Sequence, residues 1–267
     1  MESTNAAPPA ISVCIVVRDR PESLAKSVNS VLAGTFDDFE IVIVDDGSAV
    51  PAQECLAGAD LLADPRIRLV RQKPAGISSA RNTALRMARG RVVTVLDSDD
   101  ELAQDGLRQI DQLRERTGAQ WIYTDYVEIV GGRVKVIRLP TYHTSRQMLR
   151  SVLLRPRLPF KHSGMSIDRQ LLLTIGGYDE SLRIKVDVEL VLRGLTEGYL
   201  PVHLSHPAVR FHRHGANVSR RRLAGLRAWS VLVTRYCRSR VPGYRLLVLA
   251  LRALSEIGKW LVTALGR

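Results

Sequence analysis

Short apolar runs rich in β-branched residues alternate along the first two thirds of the chain with stretches whose apolar residues recur every three or four positions. Ile11–Val17 is nearly unbroken hydrophobic chain, the pattern of a strand covered on both faces. Pro21 then stands where a helix starts, and Leu24, Val28, Val31 and Leu32 keep helical spacing up to a stop at Gly34. Ile41–Val44 predicts a second buried strand, Ile67–Val70 a third and Arg91–Leu96 a fourth. A helix capped by Ser78 or Ser79 is expected between the last two, running to Gly90. A helix through Leu107, Ile110 and Leu113 follows, then a strand at Trp121–Tyr126, and Gly131-Gly132 predicts a hairpin turn. Strand–helix alternation of this kind predicts an α/β fold with a mostly parallel sheet, which binds ligands beyond the carboxyl ends of its strands.

Two acidic clusters fall at such strand ends. Asp97-x-Asp99-Asp100 sets three carboxylates within four residues, which repel one another unless water screens them or a cation intervenes. Oxygen ligands suit Mg²⁺ or Mn²⁺, which commonly bridge carboxylates to substrate phosphates. A solvated loop with Asp100 capping the next helix is the plainer alternative. Asp45-Asp46-Gly47-Ser48 reads either as strand-ending turn chemistry or as an acceptor for the N–H groups of a base or for ribose hydroxyls. The stretch from Gly76 to Asn82 reads as a capped helix start, or as amides and Arg81 aimed at a diphosphate.

Composition adds one asymmetry. The 267 residues carry 39 Lys+Arg against 27 Asp+Glu, a formal charge of +12. Residues 1–203 balance, whereas residues 204–267 hold 13 basic residues and one acid, Glu256. Such a tail seeks polyanions: lipid headgroups, nucleic acid or phosphorylated substrates. Tyr244–Leu265 predicts a helix in which Arg245, Arg252, Glu256, Lys259 and Thr263 share one stripe. Arg252 interrupts the apolar run too early for a spanning segment, so the alternatives are an interfacial helix on an anionic membrane and a terminal helix packed on the body. Three separated cysteines exclude a disulfide scaffold and a cysteine-based zinc site. His203, His206, His212 and His214 match no standard zinc spacing. Met1–Ala10 has no apolar signal core, so a cytoplasmic protein with a disordered 1–10 segment is expected, peripheral on the inner membrane face if the tail binds lipid.

Taken together, ISVCIVVRDRPESL, FEIVIVDDGS, ISSARNTALRMARGRVVTVLDSDD, IGGYDESLRIKVDVELVLR and FHRHGANVS resemble, in order, the blocks of the family-2 glycosyltransferases. The resemblance spans residues 11–219, with residues 220–267 left as a basic helical extension. It implies a GT-A fold, a mixed and mostly parallel sheet flanked by helices, and inverting, metal-dependent transfer of a sugar from a nucleoside diphosphate to an acceptor hydroxyl. By the same resemblance Asp187 is the general base, with Glu189 behind it. Val17, Arg18, Asp45, Asp46, Arg81, Asp97 and Asp99 contact the sugar nucleotide, and Asp99 and His214 hold Mn²⁺ or Mg²⁺. Arg18 stands where relatives often carry an aromatic, and Val186 where they usually carry an acid. The Q-x-x-R-W signature of processive synthases is absent, which favours single transfer. The acceptor is a small molecule or lipid-linked, and no nucleic-acid partner is expected. A sugar nucleotidyltransferase is the second enzyme class, but Arg18-Asp19-Arg20-Pro21 occupies the place of its Gly-rich loop. A basic membrane- or nucleic-acid-binding module is the alternative outside enzymes, and it leaves the acidic clusters without a role.

Overall fold

The computed structural model describes residues 7–155, 157–213, 222–237 and 242–265. Strands β1 (Ile11–Val17), β2 (Phe39–Asp45), β3 (Ile67–Arg71) and β4 (Val92–Asp97) form a parallel half-sheet in the order β3-β2-β1-β4. β1 and β2 are buried along almost their whole length, which accounts for their lack of polar alternation. Helix α1 (Pro21–Leu32) and helices α2 (Ala52–Ala57) and α3 (Ile77–Met87) supply the crossovers. The cap expected from Ser78 or Ser79 is not formed. Gly76 holds the position before α3 with φ of 97°, and Ser78 Oγ instead bonds the Leu182 carbonyl at 3.1 Å.

Beyond β4 the sheet becomes mixed. Short β5 (Glu101–Leu102) precedes α4 (Gly106–Thr117), and the long β6 (Trp121–Val130) turns through Gly131-Gly132, both at positive φ, into β7 (Arg133–Ile137). After α5 (Ser145–Leu154), β8 (Ser166–Asp168) runs antiparallel between β4 and β6. Helices α6 (Arg169–Thr174) and α7 (Val186–Thr196) lead to β9 (Val202–His212), parallel to β6. The sheet is therefore parallel in its first half and mixed in its second, with the order completed as β4-β8-β6-β9-β5.

Helices α8 (Arg222–Tyr236) and α9 (Tyr244–Leu265) pack on the body as a hairpin. Trp229, Leu232, Val233, Tyr236 and Val248 share one core with residues of α3, α5 and α7. The charged stripe foreseen on α9 does not face solvent throughout. Arg252 is 2% exposed, stacks 3.8 Å from the Trp229 ring centroid and bonds the Leu153 carbonyl at 2.8 Å. Glu256 is 4% exposed and meets Lys185 at 3.8 Å. Desolvation lowers the Arg252 pKa to about 10, so the side chain keeps its charge at neutral pH. The polar stripe turns inward because α8 offers it an aromatic face and the body a carbonyl and a counter-charge.

Candidate functional site

Register assembles the site. Val17 lies beside Asp45 and Val16 beside Asp97, so the three neighbouring strands β2, β1 and β4 end at one edge. At that edge the two acidic turns behave differently.

In the first, the buried Asp45 carboxylate accepts the Ser48 N–H at 2.8 Å and the Ala52 N–H at 3.0 Å. Burial opposes its ionisation, but these bonds and nearby Arg71 outweigh it and hold Asp45 below the ordinary carboxylate range. Asp46, also buried, accepts the N–H groups of Ala75 at 2.8 Å and Gly76 at 2.9 Å, and Gln72 Nε2 at 2.9 Å. Gly47 between Asp46 and Ser48 has φ of 70°, and a Cβ there would stand 2.5 Å from the Pro74 ring. The turn thus clamps the loop that launches α3.

The helix launched in this way carries Arg81 back to the second turn. Its buried guanidinium donates to Asp97 Oδ1 at 2.9 Å. Burial raises the proton affinity of Asp97, but Arg81 outweighs it, and the carboxylate stays below the ordinary range. Ser163 Oγ accepts the Asp97 N–H at 3.2 Å. Asp99 is paired with Arg20, the residue just before α1. Asp100 is fully buried, and burial together with Asp97 pushes it up to about 7. Asp100 Oδ1 accepts the His212 N–H at 3.1 Å, whereas Oδ2 has no hydrogen-bond partner. Asp100 does not cap the following helix, whose first position is preceded by Asp105.

Two residues from the loop before β8 complete the cluster. The ammonium of Lys161 sits 2.9 Å from the Phe211 ring centroid, under the influence of Asp100, Asp97, Asp187 and Asp99. Burial pulls its pKa down against those four carboxylates. Buried His162 contacts the Tyr178 hydroxyl at 3.1 Å through Nε2, and desolvation lowers it to about 4, so the ring is neutral near pH 7. Asn82 secures Tyr178 from both sides, donating to its carbonyl and accepting its N–H. Asp187 lies in the first turn of α7, half-buried, after Lys185 in the left-handed region at φ of 56°. Its charge acts on both Lys161 and His162, the two residues that the Asp97 carboxylate also influences.

The sequence profile described as Glycosyl transferase family 2 matches residues 12–175. The chain belongs to that family. It is 31% identical over 201 residues to the succinoglycan biosynthesis protein ExoO of Rhizobium meliloti (strain 1021), covering 71% of this chain and 57% of that protein. It is 31% identical over 219 residues to the chondroitin synthase of Escherichia coli, covering 80% of this chain and 30% of the synthase. Both relatives therefore extend well beyond the matched length. The fold superposes on S. aureus TarS 1-349 in complex with UDP-GlcNAc, with a TM-score of 0.68, 17% identity and coverage of 93% of this chain and 72% of that one. It also superposes on the mannosyltransferase PcManGT of Pyrobaculum calidifontis in complex with GDP-Man and Mn²⁺, with a TM-score of 0.63, 16% identity and coverage of 93% and 70%. The fold of this family-2 chain is GT-A, as its motifs implied.

Within this family-2 fold, Arg81 pairs with Asp97 and Arg20 with Asp99, while Asp187 acts with Asp97 on Lys161 and His162. Asp45 and Asp46 end at the same sheet edge, but each holds protein N–H groups. Val17 contributes its carbonyl, which accepts the Asp46 N–H at 2.9 Å, while Arg18 is exposed at 4.0 Å from Asp46. Glu189 serves packing, since it is buried and bound by Arg193 at 2.9 and 3.0 Å and by Tyr236. His214 lies outside the described residues. The remaining histidines of that group each have a separate carboxylate: His203 with Asp125, His206 with Asp105 and His212 with Glu101. Lys161 and Arg20 were not foreseen, because neither stands in a pattern that distinguishes it from the other basic residues of the chain.

Proposed function

We propose that this chain is an inverting glycosyltransferase that moves a sugar from a nucleoside diphosphate to an acceptor hydroxyl, with Asp187 as general base. The observation that carries the reading is that Asp187, in the first turn of α7, and the carboxylates of the Asp97–Asp100 turn act electrostatically on the same Lys161, and Asp187 and Asp97 on the same buried His162. Family membership supports the reaction class. The UDP-GlcNAc and GDP-Man bound to the two structural neighbours support a nucleotide sugar as donor.

The donor set fits a divalent cation. Buried Asp100 Oδ2 lacks a hydrogen-bond partner, and the turn concentrates carboxylate oxygens of the kind Mg²⁺ and Mn²⁺ prefer. Asp99, assisted by Asp97 and by His214, would hold it. Among the described residues no group of three or more potential ligands encloses an ion, so donor phosphate oxygens would complete the shell. When bound, the cation supplies positive charge against the charge that develops on a leaving diphosphate. Arg20, now on Asp99, and Arg81, on Asp97, are the chain's own cations at that end and are placed to orient the diphosphate.

Asp187 takes the proton of the attacking hydroxyl as the new glycosidic bond forms on the face opposite the departing diphosphate, and a single displacement inverts the anomeric carbon. Lys161 is acted on by Asp187 and by all three carboxylates of the turn, so its ammonium offsets their mutual repulsion, while buried His162 stays neutral beside it.

Paired substitutions test the assignment. Asp187→Asn keeps size and hydrogen bonding but cannot accept the proton, so transfer should fall by ~10²–10⁴ with donor binding intact. Asp99→Ala should instead remove the Mn²⁺-dependent thermal stabilisation by donor in a screen of nucleoside diphosphate sugars. Near-normal turnover in Asp187→Asn overturns the base. Loss of donor affinity in that variant moves Asp187 to the nucleotide side.

A further inference from the structure

Helix α9 is amphipathic with its faces reversed. The side toward the body carries Val248, Arg252 and Glu256, all buried. The opposite side shows solvent Leu246, Leu247, Ala250, Leu251, Leu254 and Ile257, with Leu246 72% and Leu254 64% exposed. These positions follow one another at helical spacing for more than three turns, and no charged residue interrupts them. Isolated exposed leucines are ordinary on a protein surface, whereas a contiguous apolar stripe marks an interaction face.

We propose that α9 lies in the surface of an anionic lipid bilayer, with this stripe entering the acyl boundary and the basic residues of the α8–α9 hairpin meeting the headgroups. The charge around the stripe selects that occupant. Helix α8 contains no acidic residue, and the single acid of α9, Glu256, is buried against Lys185. Exposed Arg227 and Arg245 therefore stand on a hairpin with no exposed carboxylate among its described residues. An apolar face on a hairpin whose exposed charges, among its described residues, are all positive complements a sheet of anionic headgroups. A second copy of this chain is disfavoured by the same feature, since a two-fold contact would set one cationic hairpin against another. Among the described residues no helix is long and apolar enough to cross a membrane, so α9 lies on the bilayer.

Lys185, which meets Glu256 of α9 and lies 5.1 Å from the Trp229 ring centroid, is two residues before Asp187, so the buried face of α9 is tied to the start of α7. Under the transfer reaction proposed above, on which this last step alone depends, docking through α9 would keep the enzyme at a surface that carries a lipid-borne acceptor.

Co-sedimentation with phosphatidylglycerol/phosphatidylcholine vesicles and with pure phosphatidylcholine vesicles tests the docking. The full chain should bind the anionic vesicles at least tenfold more tightly. Leu247→Glu/Leu254→Glu places charge on two exposed positions without touching the core, so its melting temperature and donor-dependent stabilisation should match the parent while vesicle binding falls at least tenfold. Arg227→Glu/Arg245→Glu should lose the preference for anionic lipid. The proposal is overturned if the parent ignores both vesicles, if it binds both equally, or if the Leu→Glu variant binds as the parent does. A stable dimer that the same Leu→Glu pair dissolves would overturn it in favour of a second copy. Because donor stabilisation is read without vesicles, failure of the docking and failure of the transferase reading are separate results.

Discussion

The two acidic turns at the ends of β2 and β4 share composition, position and neighbouring arginines, yet they solve opposite problems. Asp45 and Asp46 are buried carboxylates satisfied chiefly by backbone N–H groups of the loops they organise. Asp97, Asp99 and Asp100 are balanced by side chains brought from elsewhere: Arg81, Arg20 and Lys161. A backbone-satisfied carboxylate is finished when the chain folds. A carboxylate held by side-chain cations can exchange one cation for another, and Asp100 Oδ2 is left without a hydrogen bond. The first turn is architecture for the second, through the clamped loop, α3 and Arg81.

Removing a carboxylate from each turn should break this comparison most sharply. Asp46→Ala leaves the N–H groups of Ala75 and Gly76 and the Gln72 amide without their acceptor. It should cost about 2–4 kcal/mol of stability, read as a lower urea midpoint at unchanged m-value. Asp99→Ala removes a member of a crowded carboxylate cluster and should leave the midpoint within about 0.5 kcal/mol while donor stabilisation disappears. Equal destabilisation by both substitutions would end the distinction between a scaffold turn and a ligand turn.

Acid titration should separate the regions by pH window. Asp45 is held below its unfolded value, so its contribution is complete above about pH 4 and is lost only as pH falls through its folded pKa. His162 titrates earlier. Its ring is unprotonated in the fold down to about 4, whereas an unfolded histidine takes a proton near pH 6.5. At this position the unfolded state then binds more protons, so His162 by itself removes about 2–3 kcal/mol between pH 6.5 and 4. Asp100 contributes in the opposite direction, since it is raised to about 7 and stabilises the fold as pH falls through the same window. His162→Gln can still bond the Tyr178 hydroxyl and has no such proton, so its urea midpoint should fall less on acidification than the parent's, or rise. An unchanged slope would mean that the acid loss arises elsewhere.

Much of this architecture was legible in the sequence. Two-sided burial makes strands such as β1 and β2 continuous apolar runs, and Gly131-Gly132 announces its hairpin, so local pattern and tertiary structure agree. The grouping of Asp97 and Asp99 with Asp187 rests on motif order, because no local period joins residues about ninety positions apart. What stayed hidden depends on partners. Asp45 and Asp46 read equally as ligand acceptors or turn formers until the N–H groups of Ala52 and Ala75 come into place. Lys161 is one basic residue among 39 until Phe211 and four carboxylates surround it. Arg252 and Glu256 mark a polar stripe whose direction is fixed only by Trp229, Leu153 and Lys185. The spacing of α9 was readable, but which face looked outward was not.

The smallest expected effect sharpens the comparison further, because each turn has an arginine and only one of them is buried. Arg71 lies 3.8 Å from Asp45 and donates to the Ser48 carbonyl at 2.7 Å, but its side chain is about half exposed. Asp45 keeps its two backbone N–H bonds without it. Arg71→Gln should therefore cost under about 1 kcal/mol, and part of that loss should vanish in high salt, as for other exposed ion pairs. Arg81 makes the corresponding contact at 2.9 Å from a buried position, on a carboxylate whose ionised form it sustains against burial. Arg81→Gln should cost more, about 1–3 kcal/mol, with little sensitivity to salt. It should also weaken donor stabilisation, which Arg71→Gln leaves alone. Urea midpoints at low and high NaCl, followed by the donor screen on both variants, decide the point. If Arg71→Gln proved the more costly, Asp45 would depend on side-chain charge after all, and the two turns would differ in degree only.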